Sequence, residues 1–165
     1  MKALNASGRA GELATIDFYK KKGYDKIPSR GYLAANTVPG TVSGWDAAHK
    51  YARANMSNAG LPWKDLFDSA ILYSQKGFPV TASLARWEEI NVDPKDSEFR
   101  NLQRFSGFKQ TYLKPDGSPY KVGEIMKLPQ LANTYKLIAE KGANEFYRGS
   151  IAKKIVADLQ KHGGV

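Results

Sequence analysis

The sequence predicts a mainly α-helical segment with one or two short strands. Apolar residues recur at the spacing of amphipathic helices along most of the chain. Proline at helix starts and glycine at helix ends divide this pattern into about six or seven helices. Hydrophobic residues make up 42% of the 165 positions and aromatic residues 12%, which is enough apolar surface for a packed core.

The first third is predicted to contain a short strand and two helices. The run from Lys2 to Ala6 ends at a Ser-Gly turn, which is typical of a strand. Helical spacing then predicts a helix from Gly11 to Lys22 that is closed by Gly23. A short extended segment over Tyr32 to Ala35 is expected before a second helix from Pro39 to about Ala54, because the fixed φ of proline suits a first helical turn.

Three helices are predicted in the middle of the chain. The first begins near Pro62, stops at Gly77 and has an apolar stripe of Trp63, Leu66, Phe67, Ala70 and Ile71. Thr81 is expected to cap the second helix, which contains Leu84, Trp87 and Ile90. The pair Asp93-Pro94 is expected to begin the third helix, which carries Phe99, Leu102 and Phe105.

The last third is predicted to contain a loop and two helices. Residues 112–120 hold a Pro-Asp-Gly turn, which indicates a small hairpin or loop. A helix ending before Gly142 is predicted from Leu131, Tyr135 and Ile138. A final helix before Gly163 is predicted from Ile151, Ile155 and Leu159, with Ser150 as its cap.

Composition and motifs exclude several classes of function. The chain has no cysteine, so disulfides, thiolate nucleophiles and cysteine-bound metals are excluded. The two histidines, His49 and His162, lie in no metal-binding spacing, so no metal or other cofactor is expected. No nucleophile elbow, P-loop or dinucleotide-binding fingerprint occurs. We therefore predict no catalytic residue in this chain.

The net charge of +9 leaves a second interpretation open, a standalone basic helical module that binds nucleic acid or an acidic protein. The only run of three basic residues, Lys20 to Lys22, falls at a predicted helix end, where cations stabilise the helix dipole. This distribution favours a solvated helix end and no nucleic-acid partner. Apolar runs are far shorter than the roughly 20 residues of a membrane span, and the opening residues do not resemble a secretory signal.

Several residues have both a structural and a functional interpretation. Gly40 and Gly44 are expected to permit close helix packing rather than phosphate binding. Glu88 and Glu89 point about 100° apart on a helix and are expected to be solvated rather than to share acid–base work. Five aromatic residues on helical faces are expected in the core rather than in base stacking: Trp45, Trp63, Trp87, Phe99 and Phe105.

Arg9 is the candidate substrate-binding residue. It lies in a Ser-Gly-Arg turn just after the predicted strand, and loops often present ligand contacts. A guanidinium group there can hold a carboxylate through two parallel hydrogen bonds. An ordinary surface arginine is the alternative interpretation.

Several stretches resemble the gamma-glutamyltranspeptidases and their acylase-like relatives. VPGTVSGW at 38–45 is similar to the family's V-P-G-x-V-x-G segment. PQLANTYKLIAEKGA at 129–143 resembles its P-x-L-A-x-T-x-x-x-I-A-x-x-G stretch, and FYRGSIA at 146–152 its F-Y-x-G-x-I-A. LNASGRA at 4–10 is similar to the L-N-x-S-G-R-A-P version of transferase-like and acylase-like members, with Gly11 replacing the proline. The resemblance covers nearly the whole chain in family order, loosely over 83–123.

The resemblance implies a reaction and a site. Relatives are N-terminal-nucleophile hydrolases with an αββα sandwich, and their precursor cuts itself to expose a threonine on the smaller subunit, whose own amine serves as base. In typical members the arginine of D-x-R-E-x-A-P holds the α-carboxylate of the gamma-glutamyl group. A gap-free register places Ser7 at that position, and Arg9 lies two residues beyond it.

The resemblance also implies what this chain contributes. We expect residues 1–165 to be a single helical segment of the large subunit, incomplete at both ends. Its partners are expected to be the remainder of that subunit, the threonine-bearing small subunit and a small gamma-glutamyl or acyl-amide substrate. No threonine occurs in the family's T-T-H context. The segment alone is therefore expected to be inactive and to supply helical scaffold and one wall of the substrate pocket.

Overall fold

The computed structural model describes residues 2–58, 60–93, 95 and 101–165. Over these residues the fold is mainly helical, as predicted. The helices are α1 (Ile16–Lys21), α2 (Thr41–Asn55), α3 (Asp68–Lys76), α4 (Ala82–Asn91), α5 (Ser106–Tyr112), α6 (Pro129–Lys141), α7 (Ala143–Arg148) and α8 (Ser150–Lys161). Two 3-10 helices cover Trp63–Phe67 and Leu102–Arg104, and two short antiparallel strands pair, β1 (Phe78–Pro79) and β2 (Ile125–Met126).

Local capping chemistry sets several helix ends. Thr15 begins α1, since its hydroxyl accepts a hydrogen bond from the Phe18 N–H at 3.1 Å. The helix therefore starts at Ile16 and not at the predicted Gly11. Gly23, with φ of +80°, closes α1 as predicted. Thr81 caps α4 as predicted, by accepting from the Leu84 N–H at 3.2 Å.

Two predicted extended segments are wrong. No strand forms over Lys2 to Ala6, because a strand needs a continuous hydrogen-bonded neighbour and this stretch has none among the described residues. The only pairing nearby is an isolated bridge between Ala10 and Thr37. Tyr32 to Ala34 form a turn, in which the Ala34 N–H donates to the Gly31 carbonyl at 3.0 Å.

The chain divides into two compact units. The first comprises Met1–Asp68 and Thr134–Val165, and the second comprises Ser69–Asn133. The hydrophobic residues buried in the first unit are Tyr19, Val42, Phe67, Ile138 and Ile151. The indole N–H of Trp63 donates to the Ile138 carbonyl at 3.0 Å, which ties the 3-10 helix to this core.

The second unit has its own core around the strand pair. Val80, Ala85 and Met126 are buried together, and Phe78, Leu84, Tyr120 and Leu128 pack around them. The loop predicted over 112–120 is present, with a bridge between Leu113 and Pro119. Of the helix predicted from Asp93-Pro94, residues Pro94 and Phe99 lie outside the described residues. Leu102 lies in a 3-10 helix, and Phe105 precedes α5.

The predicted core role of the aromatic residues is wrong for two of them. Trp45 is 41% exposed and Trp87 is 57% exposed. In α4 the buried residues are Ala85 and Glu88, three positions apart, so the face that turns inward excludes Trp87. The Trp45 ring lies edge-on to Phe67 with centroids 6.0 Å apart and leaves its other side to solvent. Trp63 and Phe105 are partly buried, and Phe99 lies outside the described residues.

Within the described ranges, no helix is both long and apolar enough to cross a membrane.

Candidate functional site

The N-terminal segment, defined here as residues 4–10, is fixed along the loop before α2. The Val38 N–H donates to the Arg9 carbonyl at 2.8 Å, and just beyond the segment the Gly11 N–H donates to the Asn36 carbonyl at 2.8 Å. These bonds flank the Ala10–Thr37 bridge. The Arg9 side chain itself is exposed. The candidate guanidinium therefore extends from a fixed backbone into solvent.

Glycines allow the N-terminal segment to lie directly on the start of α2. A Cβ added at Gly44 would come within 2.6 Å of the Ala6 Cβ. A Cβ at Gly40 would overlap the Ala6 carbonyl oxygen, and one at Gly8 would overlap the Val38 carbonyl oxygen. Gly40 and Gly44 thus mark a close approach, as expected, although the neighbour is the N-terminal segment and not another helix.

A tyrosine from α7 caps the start of α2. Gly40 occupies the N-cap position and has no side chain to satisfy the first N–H groups of the helix. The Ser43 N–H instead donates to the Tyr147 hydroxyl at 2.9 Å. The same hydroxyl donates to the Pro39 carbonyl at 2.8 Å. Tyr147 therefore joins the loop and the helix through one oxygen atom.

A carboxylate from α7 caps the start of α8. Glu145 Oε1 accepts from the Ser150 N–H at 2.8 Å and from the Ser150 hydroxyl at 2.5 Å. These two bonds, the hydroxyl first, hold the pKa of Glu145 below its usual value. The prediction that Ser150 is the cap is wrong, because Gly149 takes that position and Ser150 is the first helical residue. Glycine suits this position, since a Cβ would come within 2.7 Å of the Glu145 backbone carbonyl oxygen.

An apolar cavity of about 260 Å³ lies beside these contacts in the first unit. The residues that line it come from the loop before α2, from α7 and α8 and from the chain end: Gly11, Ala35, Asn36, Thr37, Val38, Pro39, Phe146, Tyr147, Ala152, Ile155, Val156, Leu159 and Val165. None of these side chains is ionisable except Tyr147. The cavity can receive an apolar group but has no acid–base pair of its own.

Glu88 departs from its predicted environment, while Glu89 is exposed as expected. Glu88 lies in the second unit and is only 3% exposed. Its Oε2 accepts from the Tyr120 N–H at 3.0 Å, whereas Oε1 has no hydrogen-bond partner among the described residues. Burial raises the pKa of this carboxyl, and the Tyr120 hydrogen bond offsets part of that rise.

The two histidines contact backbone carbonyls. A ring nitrogen of His49 lies 3.1 Å from the Leu61 carbonyl oxygen, and one of His162 lies 2.8 Å from that of Asp158. In the part of the chain that the structure describes, no three histidine, aspartate or glutamate side chains gather as a metal site would require.

The sequence indicated Arg9 but not Tyr147 or Glu145. The only signal for these two residues was their position within or beside the FYRGSIA stretch. Tyr147 pairs with Ser43, which is distant in sequence, and Glu145 pairs with Ser150, which lies in the next helix. Helical periodicity identifies neither pairing.

Comparison with known protein families matches the whole sequence to one of them. The family model described as gamma-glutamyltranspeptidase matches residues 1–165. The chain belongs to the gamma-glutamyltranspeptidase family. It is 37% identical over 161 residues to an oxamate amidohydrolase proenzyme of Klebsiella pneumoniae, covering 98% of this chain and 28% of that protein. It is also 37% identical over 164 residues to a glutathione hydrolase-like proenzyme of Bacillus subtilis, covering 99% and 28%.

Solved structures of the gamma-glutamyltranspeptidase family share the fold. A cephalosporin acylase from Bacillus halodurans superposes with a TM-score of 0.76 at 34% identity, over 97% of this chain and 28% of that one. A gamma-glutamyltranspeptidase from Helicobacter pylori gives a TM-score of 0.76 at 28% identity, over 96% and 42%. The chain corresponds to a segment of the family's large subunit and spans 28% of the length of the curated relatives above.

Proposed function

We propose that the protein containing this chain is an N-terminal-nucleophile hydrolase that transfers or hydrolyses gamma-glutamyl or related acyl amides. The observation that carries the proposal is the match of all 165 positions to one family, supported by relatives named as an amidohydrolase, a glutathione hydrolase-like protein and an acylase. In this proposal the nucleophile is a threonine at the start of a separate small subunit, and its amine is the base.

The proposed contribution of residues 1–165 is helical scaffold and one wall of the substrate pocket. The rest of the large subunit and the small subunit are the proposed partners, and a small gamma-glutamyl or acyl amide is the proposed substrate. The apolar cavity between the loop before α2 and α8 supports this role, because it offers contact surface without acid–base groups. No catalytic residue is assigned to the segment.

Arg9 is the proposed contact for a substrate carboxylate. Its backbone is held by the Val38 hydrogen bond, and within the described residues no ion pair or hydrogen bond occupies its guanidinium. The planar guanidinium can bind a carboxylate through two parallel hydrogen bonds, and the fixed backbone limits the positions that it can reach. This contact would select substrates that bear a carboxylate near the scissile amide.

The experiment uses the full-length protein with gamma-glutamyl anilide and an uncharged acyl anilide. We expect hydrolysis by the processed enzyme, a companion chain beginning with threonine in intact mass spectra, and a KM about 10- to 100-fold higher in Arg9→Ala for the charged substrate alone. Arg30→Ala, at another exposed arginine, is the matched control and should leave KM unchanged.

Each outcome has a distinct meaning. A processed protein that cleaves no acyl amide would contradict the proposed function, and salt-sensitive nucleic-acid binding by such a protein would favour a basic binding module. An unchanged KM in Arg9→Ala together with a raised KM in Ser7→Ala would move the carboxylate contact to Ser7. Equal losses on both anilides would show that Arg9 has no role in charge recognition.

A further inference from the structure

The hydroxyl of Tyr147 makes two directional contacts that the ring alone cannot make. It accepts from the Ser43 N–H at 2.9 Å and donates to the Pro39 carbonyl at 2.8 Å. One contact is to the first turn of α2 and the other is to the loop that precedes the helix. A single oxygen atom therefore joins this loop to the first turn of α2, beside the bond from the Ser43 hydroxyl to the Gly40 carbonyl at 2.7 Å.

That loop is in turn attached to the N-terminal segment. Val38 directly precedes Pro39, and its N–H donates to the Arg9 carbonyl at 2.8 Å. The N-terminal segment and the loop are in direct backbone contact at Gly8 and Gly40. A Cβ at either glycine would overlap a carbonyl oxygen of the other stretch, so no gap separates the two. A displacement of the loop is thus transmitted to the segment rather than absorbed by a gap.

We propose that Tyr147 is a positioning residue for substrate binding, acting through the loop before α2 and the Val38–Arg9 hydrogen bond to hold the N-terminal segment in place. The inference rests on the proposed function, because it takes the N-terminal segment to contact substrate. It does not depend on whether Arg9 or Ser7 makes the contact, since both residues lie on the same fixed segment.

A purely structural role for Tyr147 predicts different behaviour. The ring packs edge-on against Phe146, with centroids 5.1 Å apart, and it lines the apolar cavity. Phenylalanine would keep both of these ring contacts and would lose only the two hydrogen bonds. Tyr147→Phe therefore separates the hydroxyl's role from that of the ring.

The experiment compares full-length wild type with Tyr147→Phe by hydrogen exchange and by steady-state kinetics. We expect faster amide exchange at Gly11, Val38 and Ser43, because their N–H groups donate the hydrogen bonds of this contact path. We also expect a KM raised about 3- to 30-fold, with kcat changed less than KM, as for the loss of two ordinary hydrogen bonds. Tyr73→Phe is the matched control, because Tyr73 is 59% exposed and lies on α3 in the other unit.

A second variant tests the same path without touching Tyr147. In Gly8→Ala the new Cβ meets the Val38 carbonyl and displaces the segment directly, so KM is expected to rise as it does in Tyr147→Phe. Combining the two substitutions should raise KM by less than the product of the single effects, because both act on one contact chain.

The outcomes separate this inference from the proposed function. Unchanged exchange at Gly11 and Val38 in Tyr147→Phe overturns the positioning role, whether or not the enzyme is active. A lowered melting temperature with an unchanged KM also overturns it, since only a structural role then remains. A raised KM in Tyr147→Phe beside an unchanged KM in Arg9→Ala removes the role of Arg9 and supports positioning of the segment.

Discussion

At the scale of single residues, Glu88 is a carboxyl side chain in a buried position, whereas carboxylates usually lie at the surface. The carboxyl is buried beside the core of the second unit, and one of its oxygens has no hydrogen-bond partner among the described residues. A buried charge without a partner is unfavourable, so the protonated form is favoured in the folded state. Glu88 therefore makes the stability of the fold depend on pH.

Replacing Glu88 by glutamine should stabilise the fold relative to wild type, and the gain should be larger at neutral pH than at acidic pH. The raised pKa means that the unfolded chain ionises first, near its ordinary value of 4.5, while the folded carboxyl keeps its proton. Wild type therefore loses stability as the pH rises from there through the raised pKa, and Glu88→Gln does not. Thermal unfolding across this range should show a melting-temperature difference in favour of Glu88→Gln that grows with pH.

Glu89→Gln is the control for this prediction, because Glu89 is the exposed neighbour on the same helix. A melting-temperature difference between Glu88→Gln and wild type that stays constant with pH would show that Glu88 is not protonated by burial. The sequence places the two glutamates about 100° apart on α4 but does not say which one faces inward. That choice depends on the strands and the Tyr120 backbone, which are distant in sequence.

At the scale of elements, α7 has only six residues and depends on its neighbours. A helix this short is not stable by itself in water. Its Tyr147 caps α2 and its Glu145 caps α8, so the polar side chains of α7 complete the ends of two longer helices. The short helix α7 therefore links the start of α2 to the start of α8.

Removing the charge of Glu145 should weaken this connection only above acidic pH. Its lowered pKa means that the stabilisation is fully present above the ordinary value of 4.5 and is lost as the pH falls through the lowered pKa. We expect Glu145→Gln to lower the melting temperature near neutral pH and to match wild type at a pH low enough to protonate the Glu145 carboxyl of the folded wild type. Glu140→Gln, at an exposed glutamate on α6, should have little effect at any pH. An equal loss at all pH values would contradict a charge-dependent cap.

The sequence predicts an element well when the residues that start and end it lie within or beside that element. Thr81, Gly23 and Gly142 mark helix ends through their own side chains or φ angles, and periodicity locates the helices between them. The start of α8 is predicted to within one residue, whereas the short helix α7 is not predicted, because its contacts through Tyr147 and Glu145 are to residues outside its own sequence. The strand predicted over Lys2 to Ala6 failed for a related reason, since pairing depends on a neighbour that a local pattern does not contain.

At the scale of the whole molecule, many large apolar side chains face solvent. Ile16 is 73% exposed, Val122 63% and Met56 60%. Single exposed apolar side chains are common on folded proteins, and only a contiguous apolar patch is typical of a contact site.

We expect the isolated 165-residue chain to have no hydrolytic activity. The proposed nucleophile, an N-terminal threonine with a free amine, lies on another subunit. Purified chain incubated with gamma-glutamyl anilide should release no more aniline than a boiled sample, whereas the processed full-length protein should release it catalytically. Turnover by the isolated chain, retained through further purification, would overturn the assignment of the nucleophile to the small subunit.

The bond between Ser43 and Tyr147 also has a consequence for synthesis on the ribosome, because it joins residues 104 positions apart. At roughly 5–20 residues per second, Tyr147 is made about 5–20 s after Ser43. The first turn of α2 therefore leaves the ribosome without its cap. The loop before α2 likewise lacks its Tyr147 hydrogen bond at Pro39 until α7 has emerged.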